Sequence, residues 1–435
     1  MTSEENNIPK GWTWFRLGDL VDNPKQDLVD GPFGSNLKSN EYTESGIPVF
    51  KIQNIKANKF LDKRISFVSE EKAKSLIRHS FQSGDLIITK LGEPLGLCCK
   101  VPSQYPFGII VADLMRLRPS KSKIFDKYLM HAINSDIVKK QFKLITKGTT
   151  RARVNLTIVR DIRIPTPTLA EQQAIVAKIE ELLSDLDNGK QQLLTAQQQL
   201  KVYRQAVLKS AFEGKLTNKN VVESELPEGW KWVTSGELFA FVTSGSRGWA
   251  KYYSNNGAIF IRITNMDFDS LELDLDTSNI QFVSPPSNSE GIRTKIQEGD
   301  FLFSITGYLG MFAIAPKLEN AYVNQHVCLC RPKEGFNKKY VGYWIISRSG
   351  GHRYLNKNQR GAVKAGLNLD DLKSIPVPLA SIDEQQAIVE EIESRLSVCD
   401  NIEATIEQSL KQAEALRQSI LKKAFEGRLI NDEKH

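Results

Sequence analysis

The chain has 435 residues, of which 40% are hydrophobic and 25% are charged, and its formal net charge is +7 at neutral pH. This composition is typical of a globular protein, and the length predicts two or more domains because single cores stop growing at roughly 250–300 residues. No apolar run reaches the roughly 18 residues of a membrane-spanning helix. The five cysteines show neither metal-ligand spacing nor a paired framework, which favours reduced thiols in a cytoplasmic protein without a metal site.

The positive charge is unevenly distributed. Residues 1–165 contain 27 Lys and Arg against 17 Asp and Glu. Two segments are richer still in basic residues. Residues 139–163 hold eight basic residues and one acidic residue, and residues 331–364 hold nine basic residues and one acidic residue. Such clusters are typical of proteins that bind a polyanion, although solvated surface helices would account for either cluster alone.

The chain contains an internal duplication. Residues 171–216 and 384–429 share 22 identities in 46 positions when they are aligned without gaps at an offset of 213. The preceding segments repeat more faintly, as in Pro9-Lys10-Gly11-Trp12 and Pro227-Glu228-Gly229-Trp230. A variable domain followed by a similar helix thus occurs twice, which predicts one structural role for the helices and two different ligands for the domains.

The first segment, residues 1–167, predicts an α+β domain. Pro48–Ile55 and Asp85–Thr89 read as strands, and Tyr128–Lys140 reads as a helix. Residues 168–216 then predict one long helix, which begins at a capping box, Thr168-Leu169-Ala170-Glu171, and ends near Gly214. Its apolar residues recur at alternating steps of three and four, as in a coiled-coil seam: Ile175, Ile179, Leu182, Leu186, Leu193 and Leu200.

Residues 217–380 predict a second domain of the same class. Ala258–Ile263 and Asp300–Ile305 read as strands, and Tyr340–Gly350 reads as a helix. Residues 381–435 predict the second spacer helix and a C-terminal tail, with a capping box at Ser381-Ile382-Asp383-Glu384. The matching seam is Ile388, Ile392, Ile402, Ile406, Leu416 and Ile420.

The two predicted long helices are expected to pack against each other. At 1.5 Å per residue, a helix of some 40–45 residues is a rod about 60–65 Å long, and an isolated rod would leave its apolar seam in water. We favour antiparallel pairing, because the second domain must be reached from the end of the first rod. The predicted fold class is therefore α+β, with two similar α/β domains separated by an antiparallel coiled coil in an internal pseudo-two-fold repeat. A pair of ordinary core helices is the alternative.

Several loops have the composition of nucleic-acid contacts. Glycine lets backbone N–H groups approach a phosphate, Arg or Lys can pair with guanine, and Asn or Gln can pair with adenine. The candidates in the first domain are Ser35, Asn36, Lys38, Gln53, Asn54, Lys90, Lys147, Thr149, Thr150, Arg151 and Arg153. Those in the second domain are Ser244, Ser246, Arg247, Asn265, Tyr308, Asn324, Gln325, Gln359, Arg360 and Lys364. Taken singly, each of these residue types is more often an ordinary turn or capping residue.

Sequence motifs for catalysis are absent. The chain has no Gly-x-x-x-x-Gly-Lys-Ser/Thr loop for a nucleotide and no His-Glu-x-x-His pair for zinc. It also lacks a glycine-rich loop for S-adenosylmethionine and the Asn-Pro-Pro-aromatic motif of an adenine methyltransferase. We therefore expect no catalytic residues in this chain.

Over essentially its whole length the chain resembles the specificity subunits of type I restriction–modification systems. The resemblance rests on duplicated pieces: Ile164-Pro165-Thr166-Pro167 before the first helix, Ile375-Pro376-Val377-Pro378 before the second, and the Ala-Phe-Glu-Gly endings at 211–214 and 424–427. One such motif is weak evidence, whereas the ordered set is strong. Leu226-Pro227-Glu228-Gly229-Trp230 and Gly366-Leu367-Asn368-Leu369 are also similar to the family.

The resemblance implies two target-recognition domains, each reading one half of a split, asymmetric site in double-stranded DNA. It also implies two methyltransferase (M) subunits docked on the helices, which use S-adenosylmethionine, and restriction (R) translocase/nuclease subunits, which use ATP and Mg. It implies no cofactor in this chain and no membrane partner.

Two other functions are left open by the residues. A self-contained DNA-modifying enzyme would need catalytic motifs that the sequence lacks. A coiled-coil scaffold without DNA binding would not explain the two basic clusters and the repeated variable domains. Labelled-cofactor methylation and salt-dependent DNA binding discriminate between these functions.

Overall fold

The computed structural model describes residues 8–145, 153–217, 226–276, 278–285, 289–359 and 366–430. The chain divides into two compact units, residues 1–192 with 408–435, and residues 193–407. Each unit holds one α+β domain and a part of each long helix. The division falls inside the two long helices, whereas the predicted segments 1–167, 168–216, 217–380 and 381–435 meet at the helix ends. Among the described residues, no helix is both long and apolar enough to cross a membrane.

The first unit combines short strands with four short helices and the start of a long one. The strands are β1 (Thr13–Arg16), β2 (Leu28–Asp30), β3 (Tyr42–Thr43), β4 (Ile47–Phe50), β5 (Ile55–Lys56), β6 (Lys59–Phe60), β7 (Ser66–Val68), β8 (Ser80–Gln82), β9 (Leu86–Thr89), β10 (Cys98–Lys100), β11 (Phe107–Ile110), β12 (Leu114–Leu117) and β13 (Arg163–Thr166). The helices are α1 (Glu70–Ser75), α2 (Asp126–Asn134), α3 (Asp136–Ile145), α4 (Leu156–Asp161) and α5 (Leu169–Phe212).

Two main sheets build the first domain. One has the order β10-β9-β12-β2 and is antiparallel, and the other has the order β3-β7-β4-β11-β8 with β4 and β11 parallel. Because side chains alternate along a strand, β9 serves two cores. Leu86 and Ile88 pack on the side that contains α2 and the long helices, whereas Ile87 packs with Phe50 and Phe81.

The second unit repeats this arrangement. Its strands are β14 (Lys231–Thr234), β15 (Phe239–Ser244), β16 (Tyr253–Ser254), β17 (Ala258–Ile261), β18 (Gln281–Val283), β19 (Phe301–Ser304), β20 (Phe312–Ile314), β21 (Ala321–Val323), β22 (Val327–Pro332) and β23 (Pro376–Leu379). Its helices are α6 (Ser235–Leu238), α7 (Ser289–Arg293), α8 (Lys338–Ile346), α9 (Gly351–Lys357), α10 (Leu369–Lys373) and α11 (Ile382–Phe425). The sheets have the orders β15-β22-β19-β20 and β16-β18-β17-β21, and β17 pairs in parallel with β21 as β4 does with β11.

The predicted strands and helices exist but are shorter than expected. The strand predicted at Pro48–Ile55 ends at Phe50, because a 3-10 turn over Ile52–Asn54 follows it. The helix predicted at Tyr128–Lys140 is broken at Ser135, which has extended backbone angles, and becomes α2 and α3. The long helices, by contrast, lie within the predicted spans.

The start of each long helix is bonded to the domain that precedes it. The backbone N–H of Glu171 donates to Thr168 Oγ1 at 3.3 Å, as the capping prediction requires. The Glu171 carboxylate instead accepts a hydrogen bond from the indole N–H of Trp12 at 2.9 Å. Trp230 and Glu384 repeat this bond at 3.0 Å. The carboxylate of each predicted capping box therefore joins helix to domain.

The end of each long helix completes the core of the unit in which the other helix begins. In the first unit, the ring centroid of Phe425 at the end of α11 lies 5.4 Å from that of Tyr128. Both rings belong to the core cluster that also contains Ile175 and Ile179 of α5. In the second unit, Phe212 at the end of α5 lies 5.2 Å from Tyr340. The long helices therefore run antiparallel within each unit, as predicted.

The predicted seam is partly wrong. Ile175, Ile179, Ile388, Ile392, Ile406 and Ile420 are buried, and Leu182, Leu186, Leu193 and Leu200 are half-buried. However, Ile402 and Leu416 are 43% and 51% exposed. The less exposed positions on α11 are residues 396, 399, 403, 406, 410, 413, 417 and 420, so that 403 and 417 replace the predicted 402 and 416.

Charged residues explain this error. The apolar pattern assigns the seam to Ile402 and Leu416. In the structure the seam positions lie one residue later, at Glu403 and Arg417. In the second unit Arg204 pairs with Asp400 at 2.5 Å and Glu403 at 3.1 Å, and in the first unit Arg417 pairs with Asp187. Arg204 and Arg417 are related by the offset of 213, as are Asp187 and Asp400. The duplication therefore places the same ion pair in each unit.

Candidate nucleic-acid interface

Several loops meet at one edge of the first domain. A Cβ atom on Gly31 would lie 1.9 Å from the carbonyl oxygen of Val111, so only glycine allows this approach of two backbones. The N–H of Val111 donates to the oxygen of Phe50 at 3.1 Å, where β4 ends. The N–H of Lys90 donates to the oxygen of Asp113 at 2.8 Å. The loops that follow β2, β4, β9 and β11 are therefore neighbours.

The segment around Arg153 completes this edge. Leu91 and Arg153 form an antiparallel bridge, and the N–H of Val154 donates to the oxygen of Lys90 at 3.1 Å. The Arg153 side chain reaches Asp113 at 3.6 Å. The residues that follow β9 thus fix the backbone around Arg153, while its side chain remains 57% exposed.

The second domain has an equivalent edge. A Cβ atom on Gly245 would lie 2.4 Å from the Asn324 carbonyl group, and the N–H of Asn324 donates to Ile261 O at 3.1 Å. The N–H of Ile305 donates to His326 O at 3.0 Å, and Thr306 bridges Gly366. The same backbone contacts thus recur with different side chains.

The first-domain candidates divide into two groups. Ser35, Asn36, Lys38 and Gln53 are exposed, as is the Arg153 side chain. Lys90 and Asn54 are buried, and their placement corrects the prediction that they face a ligand. Lys147, Thr149, Thr150 and Arg151 lie outside the described residues.

The two buried side chains have structural partners. The ammonium group of Lys90 donates to Asp30 at 3.1 Å. The Asn54 amide accepts from the N–H of Lys51 at 2.9 Å and donates to the oxygens of Leu61 and Lys63. A buried amide whose donors and acceptor are engaged is not available to a base edge.

The second-domain candidates divide in the same way. Arg247, Tyr308 and Gln359 are exposed, whereas Ser244, Ser246 and Gln325 are half-buried. Asn265 repeats the role of Asn54, because its buried amide accepts from Arg262 N at 2.9 Å and donates to Asp274 O at 3.0 Å. Asn324 is buried and accepts from the N–H of His326. Arg360 and Lys364 lie outside the described residues.

Four residues that lie at these edges were not named among the sequence candidates: Asp113, Arg293, Thr306 and His326. Asp113 holds Arg153, His326 lies between Thr306 and Gln325, and Arg293 donates to the oxygen of Ser244 at 2.7 Å. The 213-residue offset could have drawn attention to two of these positions, since it relates Asp113 to His326.

A basic helix lies behind the first edge. Gly96 packs against the ring of Phe142 on α3, where an added Cβ atom would lie 2.5 Å from a ring carbon. Beside this contact is a cavity of about 450 Å³ whose charged lining residues are three bases and two acids: Lys139, Lys140, Lys143, Glu93 and Asp136. The loop that follows β9 therefore has positive charge next to it, which favours a polyanionic ligand.

The titratable groups of the described residues indicate structural roles. Burial raises the pKa of Cys99 to about 12, and burial, followed by the neighbouring Cys99, also raises the pKa of Cys98, so both thiols stay protonated. Burial lowers the pKa of His131 to about 4, so its ring is neutral. No group of three His, Cys, Asp or Glu residues that could hold a metal ion occurs in the described part of the chain.

Comparison with known proteins gives a consistent result. The sequence profile described as "Type I restriction modification DNA specificity domain" matches residues 9–196 and 227–412. The EcoKI specificity subunit of Escherichia coli K12 is 27% identical over 97% of this chain and 90% of its own length. The putative MjaX specificity subunit of Methanocaldococcus jannaschii is 24% identical over 98% of this chain and 96% of its own length.

Solved structures support the same fold. One similar chain belongs to a structure described as the structural basis of complex assembly and conformational transition of the type I R-M system. It has a TM-score of 0.71 and 20% identity, and the match covers 97% of this chain and 99% of that one. The HsdS subunit of Thermoanaerobacter tengcongensis has a TM-score of 0.58 and 21% identity, with 97% and 98% covered. Because the profile matches both halves of the chain, this protein belongs to the type I restriction–modification DNA specificity family.

Proposed function

We propose that this chain is the non-catalytic specificity subunit of a type I restriction–modification enzyme and that it reads a bipartite, asymmetric DNA target. Each α+β domain reads one half of the target at the edge described above. The first domain uses the loops that follow β2, β4, β9 and β11, with Arg153 beside them. The second domain uses the equivalent loops and reads different bases.

One observation carries this proposal. The backbone contacts at Gly31 and Gly245, and the strand-end bonds to Asp113 O and His326 O, are the same in both domains. The side chains on this shared backbone differ, since Asp113 is replaced by His326 and Arg153 by Gly366. Base recognition depends on the donors and acceptors that side chains present. One fold with two sets of side chains therefore suits two different half-sites.

The chemistry belongs to partner subunits in this proposal. Two M subunits dock on the long helices and methylate adenine with S-adenosylmethionine, and R subunits use ATP and Mg. The chain itself binds no cofactor. Neighbouring exposed apolar side chains on both long helices, Val202 with Tyr203 and Val398 with Ile402, support a protein partner there.

The test is a methylation map. The chain is produced together with an M subunit in cells that lack adenine methylation, and modified adenines are mapped across the genome. We expect one motif with two defined parts separated by unspecified bases. Replacing residues 1–167 with those of another family member should change one part and leave the other.

Three results oppose the proposal. A single uninterrupted motif would mean that the domains do not read separate half-sites. A change of both parts after the exchange would mean that specificity is not modular. Methylation or cleavage of DNA by the purified chain alone, with S-adenosylmethionine or with ATP and Mg, would show that the chain is catalytic.

A further inference from the structure

The edge of the first domain contains an ion pair whose position is shared with the second domain. Asp113 follows β11, and its carbonyl oxygen accepts from Lys90 N–H at 2.8 Å. His326 holds the same place after β21 and accepts from Ile305 N–H at 3.0 Å. The backbone is thus fixed identically at both positions, so that the difference between the domains resides in the side chains.

In the first domain the two side chains form one unit. The Arg153 guanidinium lies 3.6 Å from the Asp113 carboxylate, with side-chain exposures of 57% and 40%. In the second domain the Arg153 position is Gly366, and His326 contacts Thr306 at 2.5 Å and Gln325 at 3.0 Å instead. The charged pair therefore distinguishes the first edge from the second.

We propose that Arg153 reads a guanine of the first half-site and that Asp113 is its positioning residue. This inference rests on the proposed function. A guanidinium has five N–H donors in a planar fork, and two of them match guanine O6 and N7 in the major groove. A carboxylate at one end of the fork restricts its rotation and leaves the other donors exposed.

Two neighbouring features favour a base over a phosphate for Arg153. Asp113 neutralises its charge, so the pair adds little to the attraction of a phosphate backbone, whereas an ion pair that biases the orientation of the fork favours a directional partner. Lys90, another cation at this edge whose backbone is bonded, is buried against Asp30. Among the described residues of this edge, Arg153 therefore offers an exposed fork of donors on a backbone that the residues after β9 hold.

The experiment compares variants of the full chain produced with an M subunit. The wild-type methylation map gives the motif, and exchange of residues 1–167 assigns its first half. Arg153→Ala should lose the requirement for one guanine in that half, with discrimination at that base pair falling by about 5- to 150-fold. Asp113→Ala should relax the same base pair more weakly. The double variant should not exceed Arg153→Ala, because the two residues act through one contact.

A matched control comes from a second exposed ion pair. Arg16 and Asp161 lie 3.4 Å apart with exposures of 63% and 62%, and Arg16 is on the separate sheet β1-β13. Arg16→Ala should leave every base preference unchanged. Exposed ion pairs contribute little to stability, so all variants should fold, and urea denaturation checks this.

Each remaining outcome overturns the inference. A first half-site of A·T pairs alone provides no guanine for Arg153. If Arg153→Ala lowers methylation equally at all sequences, the residue contacts a phosphate. If Asp113→Ala alone relaxes a cytosine, the carboxylate reads that base itself. The absence of a two-part motif in the wild type would instead refute the proposed function, so the two failures are distinguishable.

Discussion

The end of α11 is predicted to stabilise the first unit through one aromatic ring. Phe425 is 1% exposed and lies 5.4 Å from Tyr128 in the main core cluster of that unit. Phe425→Ala should lower the free energy of unfolding of the first unit by about 3–5 kcal/mol, because it removes apolar burial and leaves a cavity. At about 2–4 °C per kcal/mol for a unit of this size, the melting temperature should fall by roughly 6–20 °C.

Hydrogen exchange read by mass spectrometry separates the two units. In Phe425→Ala, amides of β9, β12 and α2 should exchange faster, and those of β19, β22 and α8 should be unchanged. The matched variant is Phe212→Ala, since Phe212 packs against Tyr340 and Trp344 in the second unit. It should give the opposite pattern. A loss of less than 1 kcal/mol, or equal acceleration in both units, would refute the packing argument.

Three further predictions concern charge. Burial lowers the pKa of His131 to about 4, so the stability it contributes is present above the unfolded value near 6.5 and is lost as pH falls through 4, by roughly 3 kcal/mol. Urea denaturation at pH 7 and pH 4.5 measures this dependence. In His131→Leu the difference in unfolding free energy between the two pH values should be smaller, and an unchanged difference would contradict the prediction. Arg204 is 15% exposed in its pairs with Asp400 and Glu403, so a double-mutant cycle of Arg204→Ala and Asp400→Ala should give a coupling of about 1 kcal/mol, and a coupling near zero would mean a purely solvated pair. The three lysines on α3 are Lys139, Lys140 and Lys143. Their replacement by alanine should weaken binding to all DNA sequences, and the slope of log affinity against log salt concentration should become shallower by up to about 0.9 per lost phosphate contact. An altered base preference would mean instead that these lysines read bases.

The long helices could be predicted because the signal for them is local and repeated. A blocked start after Pro-x-Pro, a capping residue, an apolar period and a terminal glycine all agree, and the duplication supplies each signal twice. The observed helices Leu169–Phe212 and Ile382–Phe425 follow from that agreement. The seam was less accurate, because Glu403 and Arg417 pair in the seam while the period-based reasoning treats a charge as an outward position.

The candidate interface could be predicted only by composition. Asn54 and Asn265 have the donors and acceptors of a base-reading amide, but the same groups close a 3-10 turn after a strand. Lys90 is a cation in a glycine-rich loop, yet its partner Asp30 is distant in sequence. Residue type states what a side chain can bind, and only the tertiary contacts decide whether that capacity is already used.

The duplication separates two kinds of position. Where a domain joins a helix, the side chains themselves recur, as in Trp12 with Glu171 and Trp230 with Glu384. At the loop edge of each domain the backbone contacts recur, but Asp113 and His326 occupy one place with different chemistry. A shared backbone frame lets a side chain change without moving its neighbours, because the glycine contacts and strand-end bonds do not depend on it. Under the proposed function, exchange of exposed side chains at this edge should therefore alter which bases are read at little cost in folding, whereas exchange at the helix junction should lower the stability of the unit that contains it.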